Sequence, residues 1–341
     1  MAYTTIKKPS DYFNTKLWSG NGSSQALTGV GHQTDMVWIK SRTDTRKHNL
    51  YDVVRGVQKR IVPNDTPAED TVPGVTAFGT DGFTVGSETD TNGSSRNFVG
   101  WSWNANGAGS ANTDGSISST VSANTTSGFS IVTVSKPNTN VATIGHGLGV
   151  VPAMIIGKNL ASGFRWIVYQ KTIGNTKAQY LNENFANTTS TTFWNDTSPT
   201  SSVFTIGSDN SWNGTSVFYC FAEKQGYSKF GSYTGNGSTD GTFVYTGFKP
   251  AFVMVKNITV ADGWQLIDAK RNITNGYNNA RLQPNSNGAE DVNNTWTLVD
   301  LLSNGFKQRY TDNIMNASGK TYIYMAFAEQ PLVGDNPATA R

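Results

Sequence analysis

The chain has 341 residues, enough for two or three domains, and a formal net charge of +3. Only 15% of its residues are charged, against about 25% in an average globular protein, and the basic side chains are scattered. This composition argues against a nucleic-acid-binding surface, which gathers Lys and Arg on one face, and no apolar stretch approaches the length of a membrane span. We therefore expect neither nucleic-acid binding nor membrane insertion.

Thr, Ser, Asn and Gly supply most of the polar character. Thr is favoured in strands, whereas Asn, Gly and Ser are favoured in turns, and no long segment carries apolar residues at helical spacing. The sequence therefore predicts an all-β chain with little helix. Two short segments, residues 50–60 and 297–302, are the candidates for a turn or two of helix.

Three segments carry the same ordered set of signals, which makes the chain a tandem repeat. Each has a strand that ends in lysine, a second strand, and an aromatic closing strand, and the three lysines are Lys40, Lys158 and Lys256. The period is about 100 residues, far above that of stacked solenoid repeats. Each repeat is therefore long enough to be a domain with its own core.

In chain order, residues 1–18 form an N-terminal lead-in and residues 19–106 form the first repeat. Residues 107–127 are rich in Gly, Ser and Asn, which predicts a flexible linker. The second repeat, residues 128–225, departs most from the shared pattern: Gly157 replaces an apolar residue before Lys158, and the loop between Gln179 and Pro199 is long. The third repeat spans residues 226–331, and residues 332–341 form a C-terminal tail.

The strand patterns indicate how each repeat is layered. Some strands are apolar at nearly every position, which suits a sheet covered on both faces, and others alternate, which suits an outer layer. Turn signals separate the strands at short intervals. We therefore expect three tandem β-sandwich domains of jelly-roll or lectin-like type.

Two acid–base pairs recur at matched places in the first and third repeats. Asp52 is followed by Arg55, and Asp268 is followed by Arg271. One interpretation is a structural salt bridge in each sandwich, worth about 1 kcal/mol if it is partly exposed. The other interpretation is a ligand contact.

Three tryptophans lie in loops rich in Asn, Thr and Ser: Trp194, Trp212 and Trp296. Loop aromatics that are not buried are candidates for stacking on sugars or docking on another subunit. Packing into the core is the alternative. These three residues are the candidate binding residues of the sequence.

Catalytic and metal-binding patterns are sought and not found. The three histidines do not form a cluster of metal ligands, and no nucleophile elbow or HExxH motif occurs. A pair of carboxylates for glycoside hydrolysis is not excluded by the sequence, and the Asp- and Asn-rich segment 88–93 offers oxygen ligands for Ca²⁺ without the EF-hand spacing. We expect no enzyme activity, no catalytic residue, no cofactor and no metal site.

The sequence of the repeats resembles that of a known group of proteins. Residues 234–241, 247–256, 303–306 and 322–329, with residues 29–40, 50–56 and 81–83 of the first repeat, are similar to a repeat of virion proteins of tailed bacteriophages from marine and cyanobacterial hosts. The resemblance covers nearly the whole chain. It implies a tail-fibre-like or virion structural role and carries no catalytic residue.

This resemblance sets the functional expectations. We expect a virion protein made in the host bacterial cytoplasm, since residues 1–9 lack the apolar core of a signal peptide. The first expectation is a tail-associated fibre or receptor-binding component that contacts a host surface glycan. The alternatives are a capsid decoration or head-fibre protein, and a glycan-degrading enzyme of the tail. Other virion proteins are the expected partners, and the chain is expected to form a homo-oligomer such as a trimer.

Overall fold

The structure is a computed structural model that describes residues 3–138, 140–272, 275, 280–292, 297–333 and 337–338. The described chain is almost entirely antiparallel β-sheet, which confirms the predicted all-β, sandwich-type fold class. Its helical pieces are the α-helix α1 at Thr89–Asn92 and two single 3₁₀ turns at Pro9–Asp11 and Asn210–Trp212. The two predicted helix candidates are wrong, because the first begins with a strand and a turn and the second is mostly a strand.

The strands fall into three successive groups, which we name unit 1, unit 2 and unit 3. Unit 1 contains β1 Phe13–Ser19, β2 Gln25–Thr28, β3 Met36–Ser41, β4 Asn49–Asp52, β5 Lys59–Arg60, β6 Asp70–Thr71, β7 Val75–Gly79, β8 Gly82–Val85 and β9 Asn97–Trp103. Its inner sheet has the order β1-β9-β3-β4 and its outer sheet the order β2-β8-β7.

Unit 2 contains β10 Ser110–Asn112, β11 Ser119–Asn124, β12 Phe129–Lys136, β13 Ala142–Gly145, β14 Met154–Asn159, β15 Ile167–Gln170, β16 Lys177–Tyr180, β17 Thr188–Thr189, β18 Val203–Ile206 and β19 Gly214–Phe221. Its inner sheet has the order β10-β11-β12-β19-β14-β15-β16-β17, and β13 and β18 form the outer pair.

Unit 3 contains β20 Ser228–Thr234, β21 Phe243–Tyr245, β22 Phe248–Asn257, β23 Gln265–Asp268, β24 Ala280–Arg281, β25 Asp291–Val292, β26 Val299–Leu302, β27 Gly305–Gln308 and β28 Thr321–Pro331. Its inner sheet has the order β20-β28-β22-β23 and its outer sheet the order β21-β27-β26. The four central inner strands therefore recur in the same order in every unit.

Each inner sheet is buried on both faces. In β3, the side chains of Val37 and Ile39 point into the sandwich core of unit 1, whereas those of Met36 and Trp38 point into a core shared with the other units. Alternate side chains of a strand face opposite sides, so an uninterrupted apolar strand fills two cores at once. The predicted division into three domains stays a prediction, but the units share one central core.

The centre of the shared core is a triangle of matched aromatic rings, one from each unit. The ring centroids are 5.7 Å apart for Trp103 and Phe327, 5.9 Å for Phe221 and Phe327, and 6.3 Å for Trp103 and Phe221. The strand registers show that these three residues correspond, because each pairs with the residue four positions before the matched lysine of its unit. The pairs are Trp103 with Met36, Phe221 with Met154, and Phe327 with Phe252. The units therefore form a closed ring around one core.

Side-chain hydrogen bonds to carbonyl oxygens run around this ring in one direction. The donors are the matched residues directly before β4, β15 and β23. Unit 1 donates to unit 3, unit 3 to unit 2, and unit 2 to unit 1. The bonds are His48 Nε2 to Gln283 O at 3.1 Å, Trp166 Nε1 to Val62 O at 2.9 Å, and Trp264 Nε1 to Tyr180 O at 2.9 Å. Every unit thus donates to one neighbour and accepts from the other, and Trp166 Nε1 also reaches Asp65 O of unit 1 at 3.2 Å.

The segment predicted as a linker is part of unit 2. Residues 107–127 include β10 and β11, and β11 pairs with β12 over its whole length. Regular backbone pairing with a buried neighbouring strand outweighs the flexible composition. The lead-in is also structured, because residues 13–18 belong to β1, which pairs with β9.

Candidate functional site

The predicted pair Asp52–Arg55 lies inside a junction between unit 1 and unit 2. Arg55 Nε is 2.5 Å from Asp52 Oδ2, and Arg55 Nη1 is 2.8 Å from Glu69 Oε2. Across the junction, the Tyr219 hydroxyl donates to Asp52 Oδ2 at 2.6 Å. The Asp52 side chain is fully buried and that of Arg55 nearly so, so the group joins two units.

The predicted pair Asp268–Arg271 repeats this arrangement between unit 3 and unit 1. Arg271 Nε is 2.5 Å from Asp268 Oδ2 and Arg271 Nη1 is 2.9 Å from Glu290 Oε2, while Trp101 Nε1 of unit 1 donates to Asp268 Oδ2 at 3.0 Å. Arg42 adds a two-pronged bond to Glu290. Burial alone would raise the pKa of the Glu290 carboxyl, but Arg42 and Arg271 outweigh burial and lower it.

The third junction lacks the Asp–Arg–Glu group, and Gln170 Nε2 instead donates to Gly231 O of unit 3 at 3.3 Å. By strand register and loop position, the residues that match Asp268, Arg271, Glu290 and Trp101 are Gln170, Ile173, Asn187 and Met325. Met325 has no hydrogen to donate, and Gln170, which takes the place of Asp268, carries no charge. Joint loss at all four positions indicates that the Asp–Arg groups are structural joints between units.

The candidate tryptophans do not share a surface. Trp194 is 2% exposed and Trp212 is fully buried, and both belong to the sandwich core of unit 2. Their rings therefore offer no face to a ligand. A Cβ atom at Gly157 would lie 2.7 Å from the Trp212 ring, so the glycine that departs from the repeat pattern makes room for this tryptophan. Trp296 lies outside the described residues.

The three matched lysines, each the next-to-last residue of β3, β14 or β22, are buried. The Nζ atoms of Lys40, Lys158 and Lys256 donate to the carbonyl oxygen of the following residue at 2.7, 2.6 and 2.6 Å. Burial lowers the pKa of each ammonium from about 10.5 to about 8. These lysines carry a recurrent structural role at the loops that join neighbouring units.

We expect these lysines to make the protein more stable as pH rises from about 8 to about 10. In this window the unfolded lysine keeps its proton and the folded lysine releases it, so the unfolded state binds more protons. The free energy of unfolding then increases with pH, by at most about 1.4 kcal/mol per pH unit for each lysine. Urea unfolding at several pH values tests this: Lys158→Met should reduce the slope and Lys171→Met, at a surface ion pair, should not. Equal slopes in the two variants would contradict the assignment.

A surface cleft opens where the ring of junctions is interrupted. At two junctions, matched loops are tied by a backbone bond, from Arg46 N to Asn287 O at 2.8 Å and from Asp262 N to Asn184 O at 2.7 Å. At the junction of units 1 and 2, the matched donor Phe164 N instead bonds to Ser162 O, within its own loop, at 2.9 Å. The two loops therefore part at this point.

The resulting cleft, which we name the Arg165 cleft, has a volume of about 300 Å³. Its apolar wall consists of the side chains of Phe164, Ile167, Tyr180 and Phe193, and its polar rim consists of Thr66, Arg165, Glu183 and Ser211. A concave site with an apolar wall and a few converging polar groups is typical of small-ligand sites.

The Arg165 guanidinium is held in place by a carboxylate and two aromatic rings. Its Nε is 3.0 Å from Glu183 Oε1, and its Cζ lies 5.3 Å from the Tyr180 centroid and 5.5 Å from the Phe185 centroid. Half of the Arg165 side chain is exposed, as is a quarter of that of Glu183. A donor and an acceptor therefore stand side by side at an open rim, in fixed positions.

Phe164 and Tyr180 of the cleft, and Phe185 beside Arg165, are aromatic only in unit 2. The positions of Phe164, Tyr180 and Phe185 are matched in unit 1 by Arg46, Val62 and Pro67, and in unit 3 by Asp262, Gln283 and Gly288. The repeat fold therefore forms without aromatic side chains at these positions. Phe185 is 42% exposed, so its ring is not explained by core packing.

Sequence reasoning did not identify the Arg165 cleft. The signal that pointed to this region was the departure of the second repeat between residues 179 and 199, which contributes Tyr180, Glu183 and Phe193. The sequence instead predicts the loop tryptophans as binding residues, because the polar residues around Trp194 and Trp212 indicate exposed side chains. The site differs from the matched loops of units 1 and 3, and matching those loops requires the register of the strands.

The described residues contain no group of three or more His, Cys, Asp or Glu side chains placed to hold a metal ion. The three histidines, His32, His48 and His146, are buried, and burial lowers the pKa of each imidazole. His48 accepts from Trp38 Nε1 through Nδ1 and donates through Nε2, so it is fully used as a neutral structural group.

Comparison with known proteins adds the family. No helix in the described part of the chain is long and apolar enough to cross a membrane. Curated proteins give no match to the chain. A family profile described as a domain of unknown function, DUF7483, matches residues 8–331, a range that spans all three units. The chain belongs to the DUF7483 family.

Proposed function

We propose that this protein is a structural component of a bacteriophage virion, carried on the tail as a fibre or receptor-binding part that contacts the host surface. The proposal starts from the resemblance of the repeat segments to virion proteins of tailed bacteriophages. The observation that carries it is the closed three-unit block, which presents the Arg165 cleft at the junction of units 1 and 2.

The build of the block suits a part that is assembled in the bacterial cytoplasm and then persists outside the cell. Its one cysteine, Cys220, is buried and unpaired, so stability depends on packing and not on disulfides. All three inner sheets are covered on both faces by the shared core and the sandwich cores. Binding groups placed on a rigid scaffold lose little conformational freedom when a ligand binds, which suits attachment to a surface.

The experiment is a cryo-EM map of intact particles that carry this protein, with antibody labelling of the same particles. Density for the block on the tail is the expected result, and the map also gives the copy number and symmetry of the proposed homo-oligomer and its contacts with other virion proteins. Density on the capsid alone would replace the tail assignment by the capsid decoration or head-fibre alternative. Particles that lack the protein would overturn the proposal.

A further inference from the structure

We propose that the Arg165 cleft binds one pyranose ring of an uncharged glycan. The inference deepens the proposed contact with the host surface, and so it rests on the proposed function for its biological setting. The binding chemistry itself rests only on the cleft.

The first step is the opening of the cleft. A backbone hydrogen bond closes the matched loops at the other two junctions, and here the Phe164 amide turns back to Ser162 O. The gap is bordered by Thr66 of unit 1 and by Gly163 of unit 2, and a Cβ added at Gly163 would contact Thr66 O at 3.7 Å. The volume of about 300 Å³ is at the lower end of the range for small-molecule sites, the size of a single sugar ring.

The second step is the wall. Phe164 and Tyr180 line the cleft at positions that are Arg46 and Val62 in unit 1. The two faces of a pyranose differ in the C–H groups that they present, and such C–H groups pack favourably on an aromatic ring, whose face carries negative charge. The Tyr180 ring makes a T-shaped contact with Phe193, with centroids 6.1 Å apart, and the Arg165 guanidinium lies over it. Tyr180 therefore holds the rim in place, and Phe164 supplies the aromatic surface for the sugar.

The third step is the rim. Each sugar hydroxyl can donate one hydrogen bond and accept others, and neighbouring hydroxyls on one ring match a donor beside an acceptor. Arg165 and Glu183, 3.0 Å apart, offer such a pair, and the Phe185 ring lies 5.5 Å from the guanidinium, beside that of Tyr180. The ionisable residues of opposite sign that line the cleft are one Arg and one Glu, so their charges cancel and the cleft favours an uncharged sugar over an acidic one.

The test is saturation-transfer NMR and calorimetry on the full chain with D-glucose, D-galactose, D-mannose, N-acetyl-D-glucosamine and D-glucuronate as separate probes. One ring has few atoms to bury, so a dissociation constant of about 1 mM is expected for the best neutral sugar. Arg165→Met and Tyr180→Gln should each weaken it by about tenfold or more. Tyr180→Gln copies the matched residue of unit 3, Gln283, which limits the risk of misfolding.

The control is Lys171→Ala. Lys171 forms a surface pair with Glu223 on the same unit at 2.6 Å, with 42% and 34% of the two side chains exposed, and no aromatic residue of the cleft takes part. Its sugar binding should equal that of the wild type. Thermal melts of all three variants confirm folding before binding is compared.

Three results overturn the inference: no neutral sugar binds the folded protein, glucuronate binds more tightly than every neutral sugar, or the cleft variants bind as well as the control. The test is separable from that of the proposed function. Sugar binding by a protein that is missing from particles would leave the cleft assignment standing and overturn the virion role. A protein present on particles without sugar binding would do the reverse.

Discussion

Replacing Arg271 with isoleucine is expected to lower the free energy of unfolding by about 3–5 kcal/mol, because the change leaves a buried charge without its partner. Asp268 and Arg271 are both fully buried, and the guanidinium also lies 5.6 Å above the Trp101 ring. Glu290 keeps Arg42, whereas Asp268 keeps only neutral donors. Urea unfolding of the wild type and Arg271→Ile, followed by circular dichroism and tryptophan fluorescence, measures the difference.

The chain supplies its own control for this prediction. In unit 2 the matched pair is Gln170 and Ile173, so the double variant Asp268→Gln with Arg271→Ile copies two of the four residues of that junction and leaves Glu290 paired with Arg42. It should recover about 2 kcal/mol or more of the loss, since no unpaired charge remains. A double variant as unstable as Arg271→Ile alone would show that the loss comes from packing and would contradict the electrostatic account.

An isolated unit 3, residues 226–331, is expected not to fold. One face of its inner sheet carries Phe252, Met254, Trp264, Leu266, Ile323, Met325 and Phe327 into the shared core, and removal of units 1 and 2 would expose this face to water. Burial of each large apolar side chain contributes about 1.5–3 kcal/mol, and the loss of several exceeds the whole stability of a typical domain. The full chain, by contrast, should unfold in one cooperative transition.

Proton NMR dispersion and near-ultraviolet circular dichroism of residues 226–331, beside the full chain in the same buffer, decide this prediction. A collapsed spectrum and aggregation are expected for the fragment. A dispersed spectrum with a cooperative melt would show that the sandwich core of unit 3, with Val253, Val255 and Phe306, is sufficient on its own. In that case the three predicted domains would be independent folding units.

The repeat and the fold class were readable from the sequence because each depends on local pattern. Strands such as β3 announce burial on both faces through unbroken apolar residues, and Lys40, Lys158 and Lys256 mark the register directly. The sequence does not tell which sheet covers the second face. An apolar face reads the same whether it meets its own outer sheet or two neighbouring units, so the shared core could not be predicted.

The misplaced expectations have specific physical causes. Trp212 looked exposed among polar residues, but Gly157, which is distant in sequence, leaves the space for its ring. Residues 107–127 have the composition of a linker, yet pairing with β12 orders β11. The Arg165 cleft depends on the backbone amide of Phe164, which donates within its own loop instead of across the junction. The pattern of side chains in the sequence does not predict which carbonyl oxygen a backbone amide binds.

The one-way circuit of bonds from His48, Trp166 and Trp264 has a consequence for how such a molecule can change size. In an open stack of repeats, the last member always leaves a surface on which another can be added. Here each of these donors already has its acceptor and the circuit returns to its start, so these bonds leave no unpaired position for a fourth copy. An added unit would have to break one of these bonds to enter the ring, whereas the loops can vary without touching them, as they do in unit 2.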